Sequence, residues 1–191
     1  MKKRLLIGLV LVILVLCACE KAPQNSSTPV SPDTISPDPS MVVPIESVPF
    51  QAQYIRTGGF YEDTFPKTQW ITSKDELWQY IRDNNEKYQL ELSGLRTEFM
   101  TAIMDYDEAF FAEKNLIFVV VEEGSGSNRH EVTDMRLMPS SMGRVSHLLQ
   151  PSIRRIVPEV GTCDMAQWHI LIEVDKQYAP DTVQLLSPKF E

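Results

Sequence analysis

The chain has 191 residues, of which 18 are basic and 26 acidic, for a formal net charge of −8 at neutral pH. That sign sets it against nucleic acid and anionic lipid headgroups as partners. Residues 45–191 are numerous enough to bury roughly 70% of their unfolded surface, which predicts a single domain with an ordinary hydrophobic core.

Lys2, Lys3 and Arg4 precede an apolar run from Leu5 to Leu16, the pattern of a secretory signal, assigned to residues 1–18. Even extended to Cys19, the run falls short of the ~20 apolar residues needed to cross a bilayer. The segment Leu16-Cys17-Ala18-Cys19 resembles the bacterial lipobox, in which a lipid is attached to the cysteine thiol and a peptidase cuts just before it. The resemblance implies lipidation at Cys19. It also implies a place on the outer face of the cytoplasmic membrane, or in the outer membrane of a cell with two. Cleavage removes three basic residues and no acidic one, leaving 15 basic against 26 acidic, so acyl chains rather than charge must hold the anchor. Cys17 leaves with the signal and Cys19 carries the lipid. Cys163 is then the one remaining thiol, and no intramolecular disulfide can form.

Residues 19–44 hold Pro23, Pro29, Pro32, Pro37, Pro39 and Pro44 among Ser, Thr, Asp and Asn. Such a stretch builds no core and reads as a disordered tether, spanning roughly 30–75 Å between coil and extended limits. The globular domain is assigned to 45–191. A strand is predicted over 50–56, a turn at Gly58-Gly59 and a second strand over 69–71. Ser73 and Glu76 then form an S-x-x-E capping box for a helix whose buried face holds Leu77, Trp78, Ile81 and Tyr88. A second helix is predicted over 95–104, with Leu95, Phe99 and Ile103 inward and Ser93 as cap, and Asp107 caps a further short turn through Phe110 and Phe111.

From 116 to 121 the chain is apolar without interruption, which predicts a central strand covered on both faces. Gly124-Ser125-Gly126-Ser127-Asn128 breaks it, and 129–137 is predicted to return beside it as an antiparallel strand. Residues 152–157 form another candidate strand. Over 166–174 the pattern alternates, with Ala166, Trp168, Ile170, Ile172 and Val174 on a dry face and Gln167, His169, Leu171 and Glu173 on a mostly wet one. A final edge strand is predicted over 182–186, between Pro180 and Pro188. Helices grouped ahead of a run of strands predict an α+β domain, with N-terminal helices packed on one mainly antiparallel sheet.

Catalytic patterns are sparse. The glycine-rich stretch 124–128 lacks the Lys-Ser/Thr pair and following helix of a phosphate loop, and it lacks the spacing of a nucleophile elbow. Ser125 and Ser127 read as turn residues. His130, His147 and His169 lack metal-ligand spacing, although His130, His169 and Glu122 could meet across neighbouring strands. Cys163 could pair with His169, but the adjacent Asp164 would raise the thiol pKa rather than activate it. No metal and no cofactor is predicted.

The capping-box helix, Tyr106-Asp107-Glu108-Ala109-Phe110-Phe111, the strand at 116–121, the glycine turn and the strand around Trp168-His169-Ile170 together resemble the C-terminal domain of PrcB-type protease-complex lipoproteins, over roughly residues 72–176. The resemblance implies a non-catalytic accessory lipoprotein that supports a surface protease complex, and it supplies no catalytic residue. Where that family has Thr-Gly-Gly-Tyr at the turn, this chain has Gly124-Ser125-Gly126-Ser127 followed by Asn128-Arg129-His130-Glu131, which implies a different partner if the turn makes the contact. The leading expectation is a non-enzymatic module that binds or steadies another envelope protein. A small-ligand or metal-binding lipoprotein, using Ser125, Ser127, Asn128, Arg129, His130 and His169, is the second, and a hydrolase the third.

Overall fold

The structure, a computed structural model, describes residues 45–58, 63–140 and 146–191. The signal, Cys19, the tether and Gly59 of the predicted turn lie outside the described residues. In chain order the elements are strands β1 (Glu46–Ser47), β2 (Phe50–Thr57) and β3 (Lys67–Ile71) and helices α1 (Lys74–Tyr88), α2 (Glu98–Ala102) and α3 (Glu108–Glu113). Strands β4 (Lys114–Glu123), β5 (Arg129–Pro139), β6 (His147–Ile156), β7 (Ala166–Asp175), β8 (Val183–Leu185) and β9 (Lys189–Phe190) follow. Strand accounts for 46% of the described residues and helix for 21%, so the domain is mainly sheet.

Two sheets form rather than one. Strands run β2-β7-β4-β3 in the first, all antiparallel, and β1-β5-β6-β8 in the second, where β8 and β9 both pair with β6 in parallel. Ile117, Val119 and Val121 of β4 join Ile170 and Ile172 of β7 in a core shared with Val132, Met135, Leu149 and Ile153 of the second sheet. On the opposite face Leu116, Phe118, Val120 and Leu171 pack under Leu77, Tyr80, Ile81, Phe99, Ile103 and Phe111 of the helical segment. The order of layers is therefore helices, four-stranded sheet, second sheet.

The predicted pairing of the strands on either side of the glycine turn does not occur. β4 is buried along nearly its whole length and takes β3 and β7 as neighbours, whereas β5 alternates between buried and exposed residues and joins β1 and β6 in the outer sheet. A strand with one wet face suits an outer layer, and an all-apolar strand suits the middle one. The wet face predicted for 166–174 is likewise absent: Gln167, His169 and Leu171 are buried, the last two beneath the helical segment, and Glu173 is half-buried.

Helix α1 starts where its capping box predicts. The Ser73 hydroxyl accepts from the Glu76 amide at 3.2 Å, while the Glu76 carboxylate accepts from the Thr72 amide at 2.7 Å and the Thr72 hydroxyl at 2.9 Å. The return arm thus binds one residue earlier than in the usual box. Leu77, Ile81 and Tyr88 face the core as expected, with Tyr80 beside them; Trp78, one residue (~100°) around the helix from Leu77, is 39% exposed. Ser73→Ala should cost about 1 kcal/mol in urea denaturation. A loss of only a few tenths would mean that Glu76 and Thr72 hold the helix start by themselves.

The second helix begins later than predicted. Gly94 has φ +78°, a left-handed conformation that breaks a helical path between Ser93 and Leu95. Leu95 is exposed in a turn, and Thr97 caps α2 instead, its hydroxyl accepting from the Met100 amide at 3.0 Å. A 3-10 turn, Ile103–Asp105, follows α2, and Asp107 caps α3 as expected, accepting from the Phe110 amide at 2.9 Å.

Candidate functional site

The crossing from β4 to β5 places the predicted turn residues beside the loop that precedes β7. The Ser125 and Ser127 hydroxyls lie 2.8 Å apart, and both accept from the Thr162 amide, at 3.1 and 3.2 Å. The Gly126 amide donates to the Asp164 carbonyl at 2.7 Å, and a Cβ on Gly126 would push against the ends of the Asp164 and Arg56 side chains and displace their ion pair. Hydrogen bonds from the Thr162 hydroxyl and the Arg56 guanidinium draw the Asp164 carboxyl down to about 2, and Arg56 and Asp164 form an ion pair. Arg129 donates to the Gly126 and Asn128 carbonyls at 2.8 and 3.0 Å and lies 4.9 Å from the Trp168 ring. The side chains of Ser125, Ser127, Asn128 and Arg129 are therefore each bonded within the protein. The partners of the two serine hydroxyls are each other, Thr162 and its amide, not a histidine or carboxylate that could serve as base. Cys163, in the facing loop, is exposed.

Beneath the turn lies a network that the sequence does not display. The Glu123 carboxylate, with a side chain only 6% exposed, accepts from Asn128 Nδ2 at 2.7 Å and His130 Nε2 at 2.8 Å. Arg155 closes it with Nε at 2.9 and 3.0 Å from the two oxygens and Nη2 at 2.6 Å. Burial by itself would raise the Glu123 carboxyl, but the bonds from Arg155, Asn128 and His130 and the Arg155 charge outweigh it and hold the group below its usual range. For His130 burial dominates over the attraction of Glu123, so the imidazole pKa is lowered. Asn128 and His130 are thus held by Glu123, and their polar ends point into the protein.

His169 lies elsewhere. It sits on the helix-facing side of β7, fully buried, with Tyr80 Oη 2.8 Å from Nε2 and Thr57 Oγ1 3.0 Å from Nδ1. Thr57 also contacts the Gln167 carbonyl at 3.5 Å, which assigns the proton to Nδ1 and leaves Nε2 to accept from Tyr80. The rings of Tyr88, Phe99, Tyr80 and Phe118 surround the imidazole edge-on at 4.9 to 6.4 Å. Burial drives its pKa down to about 3 and holds the Tyr80 hydroxyl well above its ordinary value. His130 packs on Trp168, on the inter-sheet side of β7, so the four-stranded sheet separates the two histidines. They do not share a site with Glu122, and no cluster of three metal-ligating side chains occurs among the described residues.

Sequence reasoning did not single out β3, yet two clefts flank it. One, about 320 Å³, lies toward α1 and is lined by Lys67, Gln69, Tyr80, Asn84, Tyr88 and Phe118 among others. The other, about 330 Å³, lies toward β8 and is lined by Thr68, Trp70, Pro180, Val183 and Leu185. Trp70 Nε1, on the strand between them, is buried without a hydrogen-bond partner. A smaller groove of about 250 Å³ separates α1 from α2, beside Trp78, Met100 and Met104. No family model, curated protein or solved structure matches the chain.

Proposed function

We propose that the protein is a lipid-anchored, non-enzymatic module that binds and steadies another envelope protein. In this reading Cys19 carries the anchor at the outer face of the membrane, and residues 19–44 tether an α+β domain whose N-terminal helices lie on its sheet. The accessory lipoproteins of PrcB type, whose pattern the sequence suggests over roughly residues 72–176, supply a functional template for this reading. One contrast supports the reading: the polar residues expected to do chemistry are bonded into the fold, while surfaces of recognition size open along β3. The ligand-binding alternative loses its composite site, because the turn at 124–128 and His169 lie on opposite sides of a sheet.

Fractionation of cells making the full chain, combined with lysine-reactive crosslinking, tests this. The wild-type protein should sediment with membranes and give one discrete heteromeric adduct. Cys19→Ala should appear in the medium or accumulate as uncleaved precursor. A Cys19→Ala protein that is still processed and membrane-bound would refute the anchor, and a wild-type protein with no heteromeric adduct would refute the partner.

A further inference from the structure

β3 is the outermost strand of its sheet. β4 pairs with one of its edges, and among the described residues no backbone group pairs with the other. An open edge of this kind takes up extended chain. β3 also borders two clefts: Lys67 lines only the one toward α1, Trp70 only the one toward β8, and Thr68 and Gln69 between them line both. Side chains of an added strand point alternately to the two faces. Clefts on both sides of one edge therefore match successive residues of a single incoming strand. Building on the protein-binding reading above, we propose that β3 accepts an extended segment of the partner protein as a fifth strand of this sheet.

The chain's own tether is a poor occupant. From residue 20 to 44 no stretch longer than five residues is free of proline, and a proline lacks the N–H that strand pairing uses. The tether also enters the fold at β1 and β2, which occupy the edges of the two sheets opposite β8 and β3. Charge narrows the partner further. Residues 45–191 carry 14 basic and 23 acidic side chains, so an acidic segment is disfavoured and an uncharged or basic one fits. The segment would place an apolar side chain against Trp70, Val183 and Leu185 and a hydrogen-bonding one among Lys67, Gln69 and Asn84.

Photocrosslinking of the full-length lipidated chain in cells tests the assignment, with benzoylphenylalanine replacing Gln69 or Gln184, and Arg82 on the exposed face of α1 as control. Positions 69 and 184 should label one contiguous, proline-free segment of the same partner, and position 82 should not. A synthetic peptide of the labelled segment should then lose about tenfold or more in affinity when amide nitrogens of one parity are methylated, and less than about threefold for the other parity. Labelling from position 82 alone, labelling of a second copy of this chain, or equal weakening by both parities would overturn strand addition. A lysine-crosslinked partner never labelled from 69 or 184 would also overturn it, while leaving the protein-binding reading standing. Absence of any partner adduct would remove both.

Discussion

Acidification from pH 6.5 to pH 4 should cost the domain about 3 kcal/mol through His169 alone. The group titrates near 6.5 in an unfolded chain and at about 3 in the fold, where burial disfavours the imidazolium. Between those values the unfolded state binds the extra proton and the folded state does not. Stability is therefore complete above pH 6.5 and falls as pH drops toward 3. The fold offers a cation little compensation: four aromatic rings meet the imidazole edge-on, and its two polar neighbours are hydroxyls already engaged in a chain that ends at the Gln167 carbonyl. His130, lowered by burial as well, adds to the slope in the same direction. Carboxylates held below their ordinary range, such as Asp164, add a loss in the same direction that begins only at about pH 5. Urea denaturation of wild type and His169→Gln at pH 7, 5.5 and 4 isolates the effect. The variant should start less stable at pH 7 but lose markedly less on acidification. An unchanged pH slope would show that His169 takes up its proton alike in the folded and unfolded states, against the burial argument.

The second large effect belongs to Arg155. Its removal strands a carboxylate whose side chain is 6% exposed, whereas Arg155 itself, 48% exposed, can be hydrated if Glu123 is lost. Arg155→Ala should destabilise by about 3 kcal/mol at neutral pH, near the lower end for breaking a buried pair because the Asn128 and His130 donors remain. Glu123→Ala also costs stability, by orphaning those two donors, and the double variant should lose less than the sum of the singles by at least about 1 kcal/mol. Simple additivity in guanidinium melts would mean that the four residues do not act as a network. Lowering the pH should narrow the stability gap between Arg155→Ala and wild type, since a protonated Glu123 needs no counter-charge.

Local chemistry made part of this fold legible. Ser73 and Asp107 mark helix starts because a cap depends on residues within one turn, and the unbroken apolar run at 116–121 reports burial on both faces. Such a run does not report which strands cover it. The partners of β4 and β7 are set by contacts as distant as Phe50 opposite Val174, and the expected hairpin across 124–128 failed for that reason. A polar residue also reads the same in sequence whether it meets solvent or a buried partner. Hence His169 was assigned to a wet face, and Asn128 and His130 to a contact surface, although each is bonded inside the protein. The five residues of β3 carry no mark of which edge remains open, because that depends on β4 and β8 lying where they do.

The crossing at 124–128 interleaves the sheets along the chain: β2, β3, β4 and β7 build one, and β1, β5, β6, β8 and β9 the other. Neither sheet is a continuous stretch, so no fragment contains one complete sheet without strands of the other. β7 lies between β2 and β4, and a chain emerging N-terminus first leaves β2 unpaired on that edge for about 110 residues and β4 for about 40 before that strand arrives. Contacts this remote make for slow, concerted folding, and they leave apolar strand edges uncovered in the interval. Truncation before Ala166 should consequently yield an aggregating chain rather than a smaller domain, and a protein emerging this way has reason to rely on a holding chaperone until its final thirty or so residues are free.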